Sequence, residues 1–328
     1  MGRHNTSSPG GPRPSAEPPH PNRRSPGPGP GQPDNAVERV APREAAAWQT
    51  QPEPPPSGGK AGRNLPLAIA VGLVLGAVVL ASLLVYRQAF AGVIVVAVGI
   101  GVWELGQAMR SKDIAVPTWT LIGCGVGMLG LTWFGGPDML ALGMGLTVMV
   151  LVVWRLADGA TGYHVDLPAS VLVATYVPFL GGFAVLMLQP DDGHLRIIVT
   201  LATVVLSDTG GYIAGVLIGR HPMAPRISPK KSWEGMAGSL LACAIGGAIM
   251  LQLMFGVEWW KGAVFGATIA IAATLGDLTE SLIKRDLGIK DMSRLIPGHG
   301  GLMDRLDSIL LALPVAFAWL AYLAPVTS

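Results

Sequence analysis

The chain has 328 residues, of which 50% are hydrophobic and only 13% are charged, and its formal net charge is +2. This composition excludes an ordinary water-soluble protein, because several runs of about 20 apolar residues are long enough to cross a bilayer. The two cysteines, Cys124 and Cys243, lie inside such runs. We therefore expect both to be small buried apolar residues, with no disulfide and no cysteine-based metal site.

The first 62 residues differ in composition from the rest of the chain. They are rich in Pro, Gly, Ser and Arg and contain almost no aliphatic clusters. Such a segment buries too little apolar surface to offset its chain entropy. We therefore divide the chain into a disordered tail, residues 1–62, and a membrane-embedded domain, residues 63–328.

The apolar runs predict an all-α fold, a polytopic membrane bundle of about nine transmembrane helices. Backbone groups inside hydrocarbon must be satisfied within the segment, so spans of this length should be helices. The predicted spans are Leu65–Val85, Ala89–Met109, Val116–Phe134, Met139–Val153, Leu167–Leu188, Leu195–Ile218, Met236–Phe255, Gly262–Ile283 and Leu306–Ala324.

The basic residues are distributed unevenly between the two sets of loops. If the N-terminus is cytoplasmic, the outer loops carry only Arg87, Arg196 and Lys261. The positive-inside rule therefore predicts a cytoplasmic N-terminus and an outer C-terminus. We expect the multi-pass chain to lie in the inner (plasma) membrane, with its active site on the cytoplasmic face. The basic residues of the cytoplasmic loops are Arg110, Lys112, Arg155, Arg220, Arg226, Lys230, Lys231, Lys284, Arg285, Lys290, Arg294 and Arg305.

Few polar residues fall inside the spans, and most of these are acids. Glu104, Asp208, Asp277 and Glu280 interrupt apolar runs. A carboxylate in hydrocarbon costs several kcal/mol, so it should face a partner, water or a metal. With a spacing of i, i+3, i+4, i+7, Asp277, Glu280, Ser281 and Lys284 share one helical face.

Two further acids, Asp304 and Asp307, are spaced i, i+3 at the start of the last predicted span. Both side chains can point the same way from that helix. Their negative charges also interact favourably with the positive end of the helix dipole. Hard oxygen ligands from several helices suit Mg²⁺ better than zinc. The alternative to metal binding is that these acids form a network of salt bridges, in which Asp304 pairs with Arg305 or Lys284, and Asp277 pairs with Lys284.

Two loop segments on the same predicted membrane face suit anions. In the first, His299 lies in a glycine-rich turn that leads into a helix start, where backbone N–H groups can receive an anion. In the second, Lys230 and Lys231 stand beside Ser228 and Ser232, which suits a polyphosphate. Binding of lipid headgroups is the alternative for this second segment.

These segments together resemble the phosphatidate cytidylyltransferase (CDP-diacylglycerol synthase) family of integral membrane enzymes. The match runs without a gap over Ser281-x-x-Lys284-Arg285-x₄-Lys290-Asp291-x-Ser293-x₂-Ile296-Pro297-x-His299-Gly300-Gly301-x-x-Asp304-Arg305-x-Asp307. Two more segments are similar to the family: Ser207-Asp208-Thr209 with Tyr212, Gly215 and Gly219, and Ser228-Pro229-Lys230-Lys231-Ser232-x-Glu234-Gly235.

The resemblance implies that CTP and phosphatidate react to CDP-diacylglycerol and pyrophosphate, with Mg²⁺ as cofactor, and that residues 63–328 form the catalytic domain. The implied metal ligands are Asp208, Asp277, Asp304 and Asp307. The implied catalytic residues are Asp277, Asp304, Asp307, Lys284 and His299. The implied substrate-binding residues are Ser228, Lys230, Lys231, Ser232, Arg285, Gly300, Gly301 and Arg305.

The expected partners are CTP, phosphatidate and membrane lipids, without nucleic acid. A homodimer stays open, as does the choice between CTP and dCTP. Two other functions compete with this one. An enzyme joining a CDP-linked lipid to an alcohol would need acids downstream of Asp158-Gly159-Ala160, and these are absent from the sequence. A cation-coupled transporter would use Asp208 and Asp277 near mid-membrane, but no duplicated acidic motif supports it.

Overall fold

The computed structural model describes residues 65–159, 162–293, 295 and 300–325. The predicted tail, residues 1–62, and His299 lie outside this part of the chain. Eight helices and one short β-ribbon make up the described fold. They are α1 (Leu65–Val85), α2 (Arg87–Arg110), α3 (Thr118–Asp158), α4 (Tyr163–Leu188), α5 (Gly193–Ile218), β1 (Pro222–Ala224), β2 (Ser228–Ser232), α6 (Trp233–Phe255), α7 (Trp259–Asp286) and α8 (Met303–Leu323).

The predicted all-α membrane fold is confirmed. Seven of the described helices, α2 to α8, are long and apolar enough to cross a membrane. The predicted count of nine is slightly off, because eight helical elements are described and the third and fourth predicted spans are two parts of one of them, α3, joined at Gly136.

Helix α3 nevertheless reverses its direction at Gly136. This glycine has φ +70° and ψ −153°, a conformation outside the helical region, and Pro137 follows it. A Cβ added at Gly143 would lie 2.8 Å from Met128, so the residues before and after Gly136 pack side by side. Gly136 is thus a one-residue turn, since glycine adopts positive φ without steric cost.

The helix connections gather at two ends of the bundle. At one end, which we call the cleft end, Asp166 Oδ1 accepts a hydrogen bond from Ala115 N, and Asp166 pairs with Arg155. At the other end, the far end, Arg87 donates to Gln189 O, and Gln189 in turn donates to Trp133 O. The chain therefore alternates between the two ends, with α3 running out and back.

Helix α4 departs from α-helical geometry around Pro178. Residues Thr175–Phe179 form a π-helical turn, as is common where a proline removes a backbone donor from the ladder. Within this turn the buried Tyr176 donates its hydroxyl to Gly276 O of α7 at 3.3 Å. The irregular turn therefore sits against the middle of the C-terminal helices.

Helices α5 to α8 approach each other closely through small residues. A Cβ on Gly266 would overlap Cys243 O, and one on Gly276 would overlap Asp307 O. Cys243 is buried, as predicted, whereas Cys124 is only partly buried. Small residues at helix crossings let backbones come together in a membrane. This packing brings the acids of α5, α7 and α8, which are Asp208, Asp277 and Asp307, to the same cleft.

Candidate active site

A cleft of about 500 Å³ opens at the cleft end, between α5, α6, α7, α8 and the ribbon strand β2. Most of the residues predicted for the site line it. They are Asp208, Ser228, Lys230, Lys231, Ser232, Asp277, Asp304, Arg305 and Asp307. Residues from three distant sequence segments therefore meet, as the resemblance implied. Lys284, Arg285, Gly300 and Gly301 lie outside the lining of this cleft.

Three carboxylates in the cleft come from three helices. Asp277 Oδ2 pairs with Lys231 Nζ at 2.5 Å, and its Oδ1 accepts from Ser281 Oγ at 3.3 Å. Among the described residues, neither Asp208 nor Asp307 pairs with a Lys or Arg side chain. The negative charge of Asp277 acts unfavourably on both acids, while the positive charges of Lys231 and Arg305 act favourably on Asp208, and that of Lys284 on Asp307. The cleft therefore holds negative charge that the protein itself neutralises only in part.

The fourth acid, Asp304, is held differently. Its Oδ1 accepts from Lys284 Nζ at 2.9 Å, and its Oδ2 accepts from Gly301 N at 2.8 Å and Met292 N at 3.1 Å. Lys284 also pairs with Glu280, which is fully buried. Both oxygens of Asp304 are thus engaged within the protein.

These contacts decide between the salt bridges considered from the sequence. The pair between Asp304 and Lys284 is confirmed. The pair between Asp277 and Lys284, part of the same alternative, does not form among the described residues. The ammonium group of Lys284 pairs with Glu280, one turn earlier on α7. Asp277 pairs with Lys231 of β2.

The glycine turn before α8 is closed by carboxylates. Gly300 has φ +80°, which favours glycine. Gly301 N donates to Asp304, and the amides of Leu302 and Met303 donate to Glu104 of α2. The sequence suggested that the backbone N–H groups of this turn bind a substrate anion. The N–H group of Gly301 instead donates to a carboxylate of the protein. Sequence reasoning noted Glu104 as an acid in an apolar span but missed its link to this turn.

The β-ribbon brings the basic residues to the cleft. Ser232 ends β2, and its Oγ accepts from Gly235 N at 3.1 Å, so it caps the start of α6. Glu234 accepts hydrogen bonds from Arg220 N and His221 N and contacts His221 Nδ1 at 2.6 Å. Arg285 Nε donates to Ile227 O at 3.3 Å, which supports the ribbon from outside the cleft.

The acids that line the cleft are candidate ligands for a divalent cation. No three Asp, Glu, His or Cys residues converge closely enough to hold a metal in residues 65–159, 162–293, 295 and 300–325. Asp208, Asp277 and Asp307 nonetheless face one cleft with oxygen donors, and two of them have no cationic partner among the described residues. This donor set suits a hard cation such as Mg²⁺, whereas Asp304 already has its hydrogen-bond partners.

Comparison with known proteins agrees with this geometry. Residues 67–323 match the model of the cytidylyltransferase family. The chain is 40% identical to a phosphatidate cytidylyltransferase of Mycobacterium leprae (strain TN), over 80% of this chain and 90% of that protein. The protein of the same name from Mycobacterium bovis (strain ATCC BAA-935 / AF2122/97) is 40% identical, over 82% of this chain and 92% of that protein.

A more distant relative extends the comparison. A phosphatidate cytidylyltransferase of Haemophilus influenzae (strain ATCC 51907 / DSM 11121 / KW20 / Rd) is 30% identical, over 74% of this chain and 93% of its own length. The chain belongs to the cytidylyltransferase family, and the family resemblance noted in the sequence is confirmed.

Proposed function

We infer that this chain is a membrane-embedded nucleotidyltransferase that transfers CMP from CTP to phosphatidate, giving CDP-diacylglycerol and pyrophosphate. The observation that carries this inference is the cleft, where acids of three transmembrane helices meet the lysines of β2. A lipid phosphate and a nucleotide triphosphate both need cationic partners, and the relatives that act on phosphatidate by name share most of the chain.

In the proposed reaction, a phosphate oxygen of phosphatidate attacks the α-phosphorus of CTP. The bond from the α-phosphorus to the bridging oxygen of the β-phosphate breaks, and pyrophosphate leaves with that electron pair. The protein has little covalent work to do, so catalysis depends on positioning and on charge stabilisation. Lys231 and Arg305 lie in the cleft where they can bind phosphate oxygens, and Lys230 and the hydroxyl of Ser228 lie beside them.

We propose Mg²⁺ as the cofactor, with Asp208, Asp277 and Asp307 as its candidate ligands, although these three acids line the cleft without converging on one point. When bound, the metal would neutralise charge on the phosphate oxygens and favour departure of pyrophosphate. The chain's own part is to orient the two phosphates in line and to keep Lys231 paired with Asp277 until substrate competes for it. Asp304, bound to Lys284 and two backbone amides, holds the start of α8 in place.

The test is product formation by purified protein in detergent or lipid micelles. With phosphatidate, CTP and Mg²⁺, the protein should release pyrophosphate and CDP-diacylglycerol in equal amounts. Omitting phosphatidate or removing the metal with EDTA should stop both, and added Mg²⁺ should restore them. Ion uptake into proteoliposomes without pyrophosphate release would favour a cation-coupled transporter and contradict the proposal.

We also propose that the cleft end faces the cytoplasm of the cell and lies at the inner membrane surface. The excess of Lys and Arg on the loops of that end supports this orientation. Single cysteines at the exposed positions Arg226 and Asp191, in a variant lacking Cys124 and Cys243, test the two ends. In intact cells an impermeant thiol reagent should label position 191 and not position 226. The reverse pattern would overturn the orientation.

The proposed partners include membrane lipids around the exposed apolar helix faces. A homodimer remains a prediction. The mass of the purified protein, measured by light scattering with the detergent contribution subtracted, distinguishes a dimer from a monomer.

A further inference from the structure

Glu104 is a fully buried acid in the last two turns of α2, far in sequence from every residue of the cleft. One of its oxygens, Oε1, accepts hydrogen bonds from Ser293 Oγ and from Leu302 N at 3.0 Å. The other, Oε2, accepts from Met303 N at 2.7 Å. These partners follow Glu104 by 189 to 199 residues. A single side chain thus joins α2 to both sides of the glycine turn.

The hydrogen-bond partners of Glu104 explain how a fully buried acid is tolerated here. Within the described residues no Lys or Arg pairs with it. Two of its three donors are backbone amides at the start of α8, where the helix dipole favours a negative group. A buried carboxylate costs several kcal/mol unless such donors surround it. The start of α8 and Glu104 therefore depend on each other.

The glycine turn is shaped to accept this contact. A Cβ added at Gly301 would lie 2.8 Å from Glu104 Oε2, 3.0 Å from Oε1 and 3.1 Å from Asp304 Oδ2. Gly301 thus leaves the space in which two carboxylates bind consecutive amides. Glu104 binds the amides of residues 302 and 303, and Asp304 binds that of residue 301.

We propose that Glu104 is a positioning residue for the transfer reaction: its carboxylate fixes Ser293 and the first turn of α8, so that Asp307 and Arg305 face the cleft. This proposal rests on the proposed function. Glu104 is not among the cleft-lining residues, and so it acts through α8. Within the described part of the chain, no hydrogen bond or ion pair joins Lys231 of β2 to Glu104 or to its partners, so we expect nucleotide binding by Lys231 to be separate from this role.

The first test is Glu104→Gln. The amide keeps one acceptor but turns an NH₂ group toward donors that are themselves N–H or O–H, whichever way it is oriented. We expect kcat to fall by about 10- to 100-fold, as for an ångström-scale displacement of a reacting group. The KM for CTP should change much less, because the lysines of β2 keep their places. Glu104→Asp, which keeps the charge, should recover part of the lost kcat.

A second variant and a direct measurement guard against misfolding. Gly301→Ala pushes a methyl group against the Glu104 carboxylate and should reproduce the loss in kcat. In the unmodified protein, the amides of Leu302 and Met303 should exchange slowly with deuterium, and Glu104→Gln should speed their exchange without affecting α6. Fast exchange of these two amides in the unmodified protein would overturn the proposal even if no variant folds.

The control is Asp192→Asn at the far end, which removes a partner of the buried Arg196 without touching the cleft. If Glu104→Gln only lowers the melting temperature, as this control should, and leaves kcat normal, Glu104 is structural and the proposal is wrong. If the unmodified protein makes no CDP-diacylglycerol, the proposed function fails, and the exchange measurement still decides whether Glu104 holds the turn.

Discussion

The far end of the bundle neutralises its buried charge in place, whereas the cleft end, which also holds the buried pair of Arg155 and Asp166, leaves two of its acids without an ion pair among the described residues. At the far end, Arg196 forms a two-point pair with Asp192 at 2.7 and 2.8 Å and donates to Leu320 O and Ala324 O. At the cleft end, Asp208 and Asp307 pair with no Lys or Arg among the described residues. A buried charge that serves packing needs its partner in place, whereas acids that line a cleft without an ion pair are suited to binding a ligand.

The same comparison separates the acids within the cleft end. Asp304 resembles the far-end pattern, because Lys284 and two amides satisfy it. Asp307 accepts from its neighbour Ser308 N and otherwise faces the cleft. The two acids stand one helical turn apart, so matched Asn substitutions test the distinction directly.

The largest combined effect is expected for Asp304→Asn. The change breaks the pair with Lys284, which still has Glu280, and weakens the hold on Gly301 and Met292. Breaking a largely buried pair costs on the order of 3 kcal/mol. Turnover should fall by about 10²-fold, and the melting temperature should fall with it, measured on the same preparation. A fully stable Asp304→Asn protein would contradict the anchoring role.

Asp307→Asn should cost activity alone. If Asp307 is a metal ligand, loss of its charge should lower turnover by about 10²-fold or more, or about 2.7 kcal/mol of transition-state stabilisation. The melting temperature should stay the same or rise, because removing one of several repelling carboxylates relieves the cleft. The concentration of Mg²⁺ needed for half-maximal turnover should also rise. Near-normal turnover with unchanged Mg²⁺ dependence would remove Asp307 from the site.

Helical spacing predicted which acids share a face of one helix, and the resemblance to the family implied that acids of different helices belong to one site. Asp304 and Asp307, three residues apart at a helix start, both reach the cleft, as does Asp277 of α7. Most predicted spans also became helices within a few residues of their expected ends. Periodicity and apolar length are local properties, so the sequence alone carries them.

The errors and omissions have a different origin. The third and fourth predicted spans are separated by a single residue, Gly136. The loop expected between them is therefore a one-residue turn that joins two helical parts of α3. Pairing of Asp277 with Lys231, and of Glu104 with the start of α8, joins residues far apart in the chain. Such partners are chosen by tertiary packing, and no spacing rule within one helix can indicate them.

A smaller effect is expected for the lysines of β2, which differ in their surroundings. Lys231 pairs with Asp277 and is three-quarters shielded, whereas Lys230 is exposed. A partly buried charge-assisted contact to phosphate is worth more than an exposed one. Lys231→Ala should lower kcat/KM for CTP by about 10- to 100-fold, and Lys230→Ala by about fivefold or less. Equal losses would mean that the segment supplies only general positive charge.

The smallest effect on activity is expected at the far end, for Asp192→Asn. This change leaves Arg196 with its bonds to Leu320 O and Ala324 O but without its negative partner, and Arg196 is only 5% exposed. An unneutralised buried charge destabilises the fold, although the partial exposure of Asp192 lessens the cost. The melting temperature should fall by a few degrees, while kcat and both KM values stay normal. A fall in kcat at unchanged melting temperature would show that the charges of the far end act on the reaction, and the contrast between the two ends would no longer hold.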